Sequence, residues 1–215
     1  MTDTPLADFL PQVIPYMPSV PDPVALDAIR SALIDFCNAS HWWLVEHDPV
    51  TTLKAVATYD LDPPVDAQVI RVHHAWHDGQ ALFPSSEDEL HRLLGPTWYE
   101  RTGTPRYISQ MSSYEVMLTP TPEVATTNGL RMLVALAPSR GSDAVDEGLF
   151  NRWAEKIGYG ARARLHETPN TTYYDPKAAV YYRRLFAAAI GEAKVERNRG
   201  LTRFQPHLRP PRGAC

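Results

Sequence analysis

The apolar residues of this chain change their period twice, and that change limits what the chain can become. From Asp22 onward Leu26, Ile29, Leu33, Phe36 and Cys37 return every three or four residues, which is the spacing of one helical face. From about Thr51 to Val134 apolar and polar residues alternate instead, as on a half-buried strand. Helical spacing resumes after Ser142. Val145, Leu149, Trp153 and Ile157 fall four residues apart, with Phe150 and Leu165 on the same side. Val180, Leu185, Ala189 and Ala193 then line one face of a last helix. The first helix can meet the last two only if the sheet projects between them. The order therefore predicts an α+β fold: a helical bundle with an inserted small antiparallel β-sheet and an extended C-terminal arm.

Punctuation sharpens the boundaries. Twenty prolines cluster in the first 23 residues, at Pro63 and Pro64, at Pro120 and Pro122, and in the last ten residues. Asp22 reads as an N-cap with Pro23 in the first turn, and Asn38 to Trp43 ends that helix. Asp78-Gly79 is a hairpin turn, with Ala81-Leu82-Phe83 as its return strand. Ser86, with Glu89 three residues on, caps a short helix from Ser85 to Leu94. Strand candidates follow around Arg106–Gln110, Tyr114–Pro120 and Leu130–Pro138. Asp175 with Pro176 starts the last helix, which Gly200 can end. The predicted organisation is an extended Pro-rich N-terminus (1–21), a helical bundle (22–58 and 142–199), a β-rich insertion (59–141) and a basic arm (200–215). There are no internal repeats.

With 44% hydrophobic and 21% charged residues the composition is that of an ordinary globular chain. No stretch nears the roughly 20 apolar residues of a membrane span. The acidic, proline-broken opening reads as neither a signal nor a transit peptide, which predicts a protein made in a cytoplasm or in something assembled there. Cys37 lies in a helical apolar pattern and Cys215 ends the chain, so neither a disulfide framework nor a cysteine zinc site is expected. Charge is divided unevenly. Residues 177–215 hold nine Lys and Arg against two Asp and Glu, while residues 1–176 hold 12 against 23, for net charges of +7 and −11.

The chemistry-bearing residues make no site. His73 and His77 have the spacing of two zinc ligands on a helix, but they lie in an alternating segment, and His74 stands where a metalloprotease needs its glutamate. On a strand His73 and His77 share one face and His74 takes the other, as polar residues of a sheet surface. No Gly-x-Ser-x-Gly elbow occurs, and Gly158-Tyr159-Gly160 lies in a helical pattern without a preceding strand. Glu87, Asp88 and Glu89 are explained by the helix dipole. No catalytic residue, metal ligand or cofactor is nominated.

The tail is different. Arg197, Arg199, Arg203, Arg209 and Arg212 are interleaved with Phe204, His207 and Leu208. At roughly 3 Å per residue the extended segment after residue 199 reaches about 50 Å, well beyond its own subunit. It reads as a peptide that docks on a partner, with Phe204 and Leu208 as anchors and the arginines and His207 on an acidic rim. A solvated tail and a nucleic-acid arm are the other readings, the last opposed by the −11 body, which repels a polyanion.

Taken together, these segments resemble the adaptor, or tail tubular, proteins that join portal to tail in tailed bacteriophages. The likeness lies in Asp8-Phe9-Leu10-Pro11 and the Pro21–Trp43 stretch, then Tyr59–Ala67, the Asp-Gly turn, the Ser85–Leu90 segment, Gly103–Tyr107 and Leu118–Pro122, and finally Trp153 and Asp175-Pro176. It covers nearly the whole chain. The resemblance implies a structural virion protein at the head-tail junction, assembled in the host cytoplasm. Its partners would be the portal protein, a downstream tail or nozzle protein, and further copies in a homo-oligomeric ring, usually a dodecamer. Genomic DNA would pass through without specific binding, and no membrane is involved. The arm would dock on the portal, and Trp42, Trp43, Trp98 and Tyr99 are candidate inter-subunit contacts. Two rival readings are a virion-associated peptidoglycan hydrolase, which needs a carboxylate pair in a cleft, and a DNA-binding protein acting through the arm.

Overall fold

The computed structural model describes residues 3–199. In chain order the strands are β1 (Asp3–Pro5), β2 (Leu44–Thr52), β3 (Thr58–Asp60), β4 (Ala67–His77), β5 (Gln80–Pro84), β6 (Thr102–Gly103), β7 (Tyr107–Gln110), β8 (Glu115–Thr119), β9 (Thr121–Pro122), β10 (Thr126–Pro138) and β11 (Ala144–Asp146). The helices are α1 (Asp22–Ser40), α2 (Glu87–Leu94), α3 (Glu147–His166) and α4 (Pro176–Arg199).

The three long helices follow from their apolar faces. α1 buries Ala25, Ile29, Ala32, Leu33, Phe36 and Cys37, and α3 buries Leu149, Trp153, Ile157 and Leu165. The Phe36 and Trp153 rings meet with centroids 5.2 Å apart. α1, α3 and α4 touch one another, and α1 also lies against β10. The caps differ from one helix to the next. Asp146 Oδ1 accepts from Gly148 N–H at 2.9 Å, and Asp175 Oδ1 accepts from Lys177 N–H and Ala178 N–H at 2.9 and 3.1 Å. Asp22 is not a cap. It is the first helical residue, Pro21 takes the cap position without a side-chain bond, and the Asp22 carboxylate sits in the first turn, where the helix dipole favours it. α1 also stops before Trp43. His41 turns left-handed (φ 51°), and its N–H bonds to Cys37 O. Gly160 lets α3 and α4 close up, because a Cβ there would sit 2.8 Å from the Phe186 ring.

Residues 3–20 are not an extended lead-in. β1 pairs antiparallel with β11, Thr4 opposite Val145, and 3₁₀ turns follow at Leu6–Gln12 and Ile14–Tyr16. Leu6, Phe9, Val13, Met17 and Val20 are buried against the helices. Their three- and four-residue spacing is helical, but Pro11, Pro15 and Pro18 bar a continuous α-helix. Short 3₁₀ pieces deliver the same side chains.

The sheet is also larger than a small insertion. Seven strands pair in the order β2-β10-β4-β5-β7-β8-β3, all antiparallel except the β5–β7 contact. It begins at Leu44, well before residue 59, because β2 forms the edge beside β10. Pro49 inside β2 is tolerated at an edge, where one side of the strand has no ladder to serve. The Asp78-Gly79 turn has positive φ at both residues, 49° and 77°, the type I′ geometry that matches strand twist and that glycine favours. Along β4 the register slips twice: Leu133 opposes His74 while Val134 opposes Val72, and Ala135 opposes Arg71 while Leu136 opposes Val69. His73 and Ile70 are therefore bulge residues. A single apolar core runs from the N-terminal turns through α1 and α3 into the sheet.

Candidate docking surfaces

The residues expected to carry contacts divide by burial. Trp43 is only 7% exposed and belongs to the core. Trp98 is 9% exposed, in a 3₁₀ turn after α2. Trp42 is half-buried, with its Nε1–H donated to Glu196 Oε1 at 3.2 Å and its ring edge-on to Trp153. Tyr99, at 59% exposed, keeps most of its surface. Burial in the subunit's own core accounts for Trp43 and Trp98, and the free aromatic surface of the four belongs to Tyr99 and the edge of Trp42.

Of the arginines read as docking residues, Arg197 is turned inward. Its Nη1 donates to Ser40 O at 3.0 Å, satisfying a carbonyl at the end of α1, and its Nη2 donates to Asn198 Oδ1 at 2.7 Å. Arg199 is exposed at the last described position of α4. Arg203, Phe204, His207, Leu208, Arg209 and Arg212 lie outside the described residues.

The histidine segment divides between two faces, but only His74 is a surface residue as expected. His74 and Trp76 lie on the exposed face with rings 5.9 Å apart. His77 is buried, its Nε2 3.0 Å from Thr52 Oγ1, and burial pushes its pKa down. His73 meets His41 edge-on, centroids 5.3 Å apart. No group of three or more His, Cys, Asp or Glu that could hold a metal is found among the described residues. Cys37 is a buried free thiol whose pKa burial pushes far up, so it is no nucleophile. The two carboxylates with displaced pKa values, Glu196 beside Arg152 and Asp175 beneath the α4 amides, are both held down. A glycosidase acid needs the opposite shift.

The bulge at His73 shapes a site that the sequence does not announce. Where α1 ends, α4 ends and β4 bulges, a cavity of about 450 Å³ is lined by Ala39, His41, Arg71, Val72, His73, Pro84, Lys194 and Arg197. It contains three permanent cations and two histidines and no carboxylate. Burial first, then His41 and the neighbouring arginines Arg197 and Arg71, pushes His73 down to about 4. Burial, then Arg71, Arg197 and Lys194, also lowers His41. Both rings are thus neutral at neutral pH. These residues come from α1, β4 and α4, and no spacing within one element could have grouped them.

No helix among the described residues is long and apolar enough to cross a membrane. Residues 4–210 match the model of a family described as SU10 adaptor protein. No curated protein matches the chain.

Proposed function

The chain belongs to the SU10 adaptor protein family, a family of phage head-tail adaptors, and from that premise we propose that it forms a closed ring below the portal. In this reading it is a structural virion protein of the head-tail junction. Twelve copies close head to tail, the helical bundle of α1, α3 and α4 makes the wall, and genomic DNA passes through without specific binding. The basic arm (200–215) climbs onto the portal, where Phe204 and Leu208 anchor it and Arg203, His207, Arg209 and Arg212 meet an acidic rim. The outer part of the sheet reaches toward a downstream tail or nozzle protein, and Tyr99 is a contact between neighbouring subunits.

The observation that carries the reading is the family match, because it spans the helices, the whole sheet and most of the arm together. Two physical features support it. The −11 body suits a wall that DNA must slide past without sticking. A chain with a basic end and an acidic remainder also carries two unlike faces, which a heterologous ring requires.

Light scattering of the purified protein, alone and mixed with portal from the same phage, tests this. A large complex should form with portal and should vanish on deletion of residues 200–215. A full-length protein that stays monomeric and ignores the portal would remove both the ring and the docking arm.

A further inference from the structure

We propose that the socket of His41, Arg71, His73, Lys194 and Arg197 receives a carboxylate from a second copy of this chain, as one half of the head-to-tail contact between neighbouring subunits. The proposal rests on the ring reading and names the residues that would close it.

The charges of the socket are unbalanced. Five cations elsewhere in the body lie against carboxylates, Arg30 on Asp143, Arg152 on Glu196, Lys156 on Glu192, Arg164 on Asp35 and Arg183 on Glu167, whereas others, Arg106, Arg131 and Arg184 among them, have none among the described residues. Arg71, Lys194 and Arg197 have no carboxylate within ion-pair distance among the described residues. The C-terminal end of α1 explains Arg197, which bonds to Ser40 O. A helix end carries only about half a negative charge, however, and three cations share this concavity. An anion seated here would relieve the repulsion among the cations.

Shape favours a side chain over a phosphate backbone. The socket is an open concavity of about 450 Å³ with an apolar lining from Ala39, Val72 and Pro84, which suits the stem of an Asp or Glu below its charged head. Duplex DNA presents a charge about every 1.7 Å along its axis and needs a basic track. The surface leading away from the socket along α4 interrupts any such track: exposed Val195, Gly191, Ala188 and Ala187 separate Lys194 from the next cation on this face, exposed Arg184, about 15 Å along the helix, and nothing lies within 4 Å of where a Cβ on Gly191 would stand. That face is small, apolar and uncovered, a fit for protein packed beside the anchored carboxylate.

Charge complementarity selects a second copy as the partner. Residues 177–199 hold six Lys and Arg against two Glu, whereas residues 1–176 hold 12 basic against 23 acidic residues. Exposed carboxylates without an ion pair, such as Glu46 and Asp48 on the free edge of the sheet and Glu87–Glu89 at the start of α2, are available on every copy. One chain thus carries both halves of a heterologous contact.

Zero-length carbodiimide coupling tests the assignment. Full-length protein, mixed from ordinary and ¹⁵N-labelled stocks and assembled with portal, is coupled, digested and read by mass spectrometry. The expected product joins the Lys194 amine to an Asp or Glu of a different copy, seen as a mixed-isotope peptide pair. Three outcomes in a formed ring overturn the inference and leave the ring standing: coupling of Lys194 to a portal carboxylate, coupling to the Cys215 α-carboxylate of its own copy, or no coupling. Absence of any ring overturns the ring reading and this contact with it. As a second measurement, the full-length R71E/K194E variant should keep its near-UV circular dichroism and need a roughly tenfold or higher concentration to assemble. A variant that assembles as the unsubstituted protein does would overturn the proposal independently.

Discussion

The half of the sheet formed by β2, β10 and β4 lies beside α1, whereas β5, β7, β8 and β3 have no long helix packed extensively across them. Near α1, β10 is buried on both faces from Val134 to Pro138, and Val69, Met132 and Leu136 share a core with Ile29, Phe36 and Trp153. In the outer half Leu82, Ile108, Val116 and Leu118 are buried, but Phe83 and Tyr114 stand mostly exposed nearby. The same alternating chemistry thus makes a two-sided core in one place and a one-sided sheet in the other. The helix layer decides which, and local stability should follow it.

The strongest way to break this contrast is Trp153→Ala. The ring is 1% exposed between Phe36 and Trp42, and its loss should cost about 3–5 kcal/mol in denaturant titration. Leu118→Ala, in the outer half, should cost roughly 2–4 kcal/mol. Its hydrogen exchange should quicken in β5, β7 and β8 well before α1 and α3; uniform quickening would mean that the halves open together. Gly160→Ala drives a methyl group into Phe186 and should cost about 1–3 kcal/mol by separating α3 from α4, with little change in sheet exchange. The smallest effect expected is that of acid. His41, His73 and His77 all have lowered pKa values, so the unfolded chain binds their protons more readily. Stability is therefore full above the ordinary histidine value near 6.5 and declines as pH falls toward about 4, where His73 itself titrates. Melting temperature measured across that window should fall, and His73→Asn should flatten the slope.

Much of this was legible because it is local. Ser86 accepts from Glu89 N–H at 3.3 Å, as its spacing predicts, and Asp175 caps α4. The Asp-Gly hairpin and the strands β7, β8 and β10 also stand where alternation places them. What escaped depends on distant partners. β2 is masked by Pro49, which only an edge position excuses. The N-terminal turns look extended because prolines hide their spacing. An aromatic pair such as Trp42-Trp43 cannot reveal from sequence which ring faces the core, and here it is Trp43 that is buried. The cationic socket depends on a bulge that only pairing with β10 creates.

The pairing of β1 with β11 also sets a timetable for synthesis. Asp3 lies opposite Asp146, and Leu6 N–H bonds to Asp143 O at 2.9 Å, so during synthesis this segment waits for a partner some 140 residues behind it. At roughly 5–20 residues per second that delay is on the order of 10–30 s. Throughout it Leu6, Phe9 and Val13, which end as solvent-free as any side chains in the subunit, have no place to go. The N-terminal segment therefore stays apolar and unpaired until β11 has been made, while α3 and α4 still follow it.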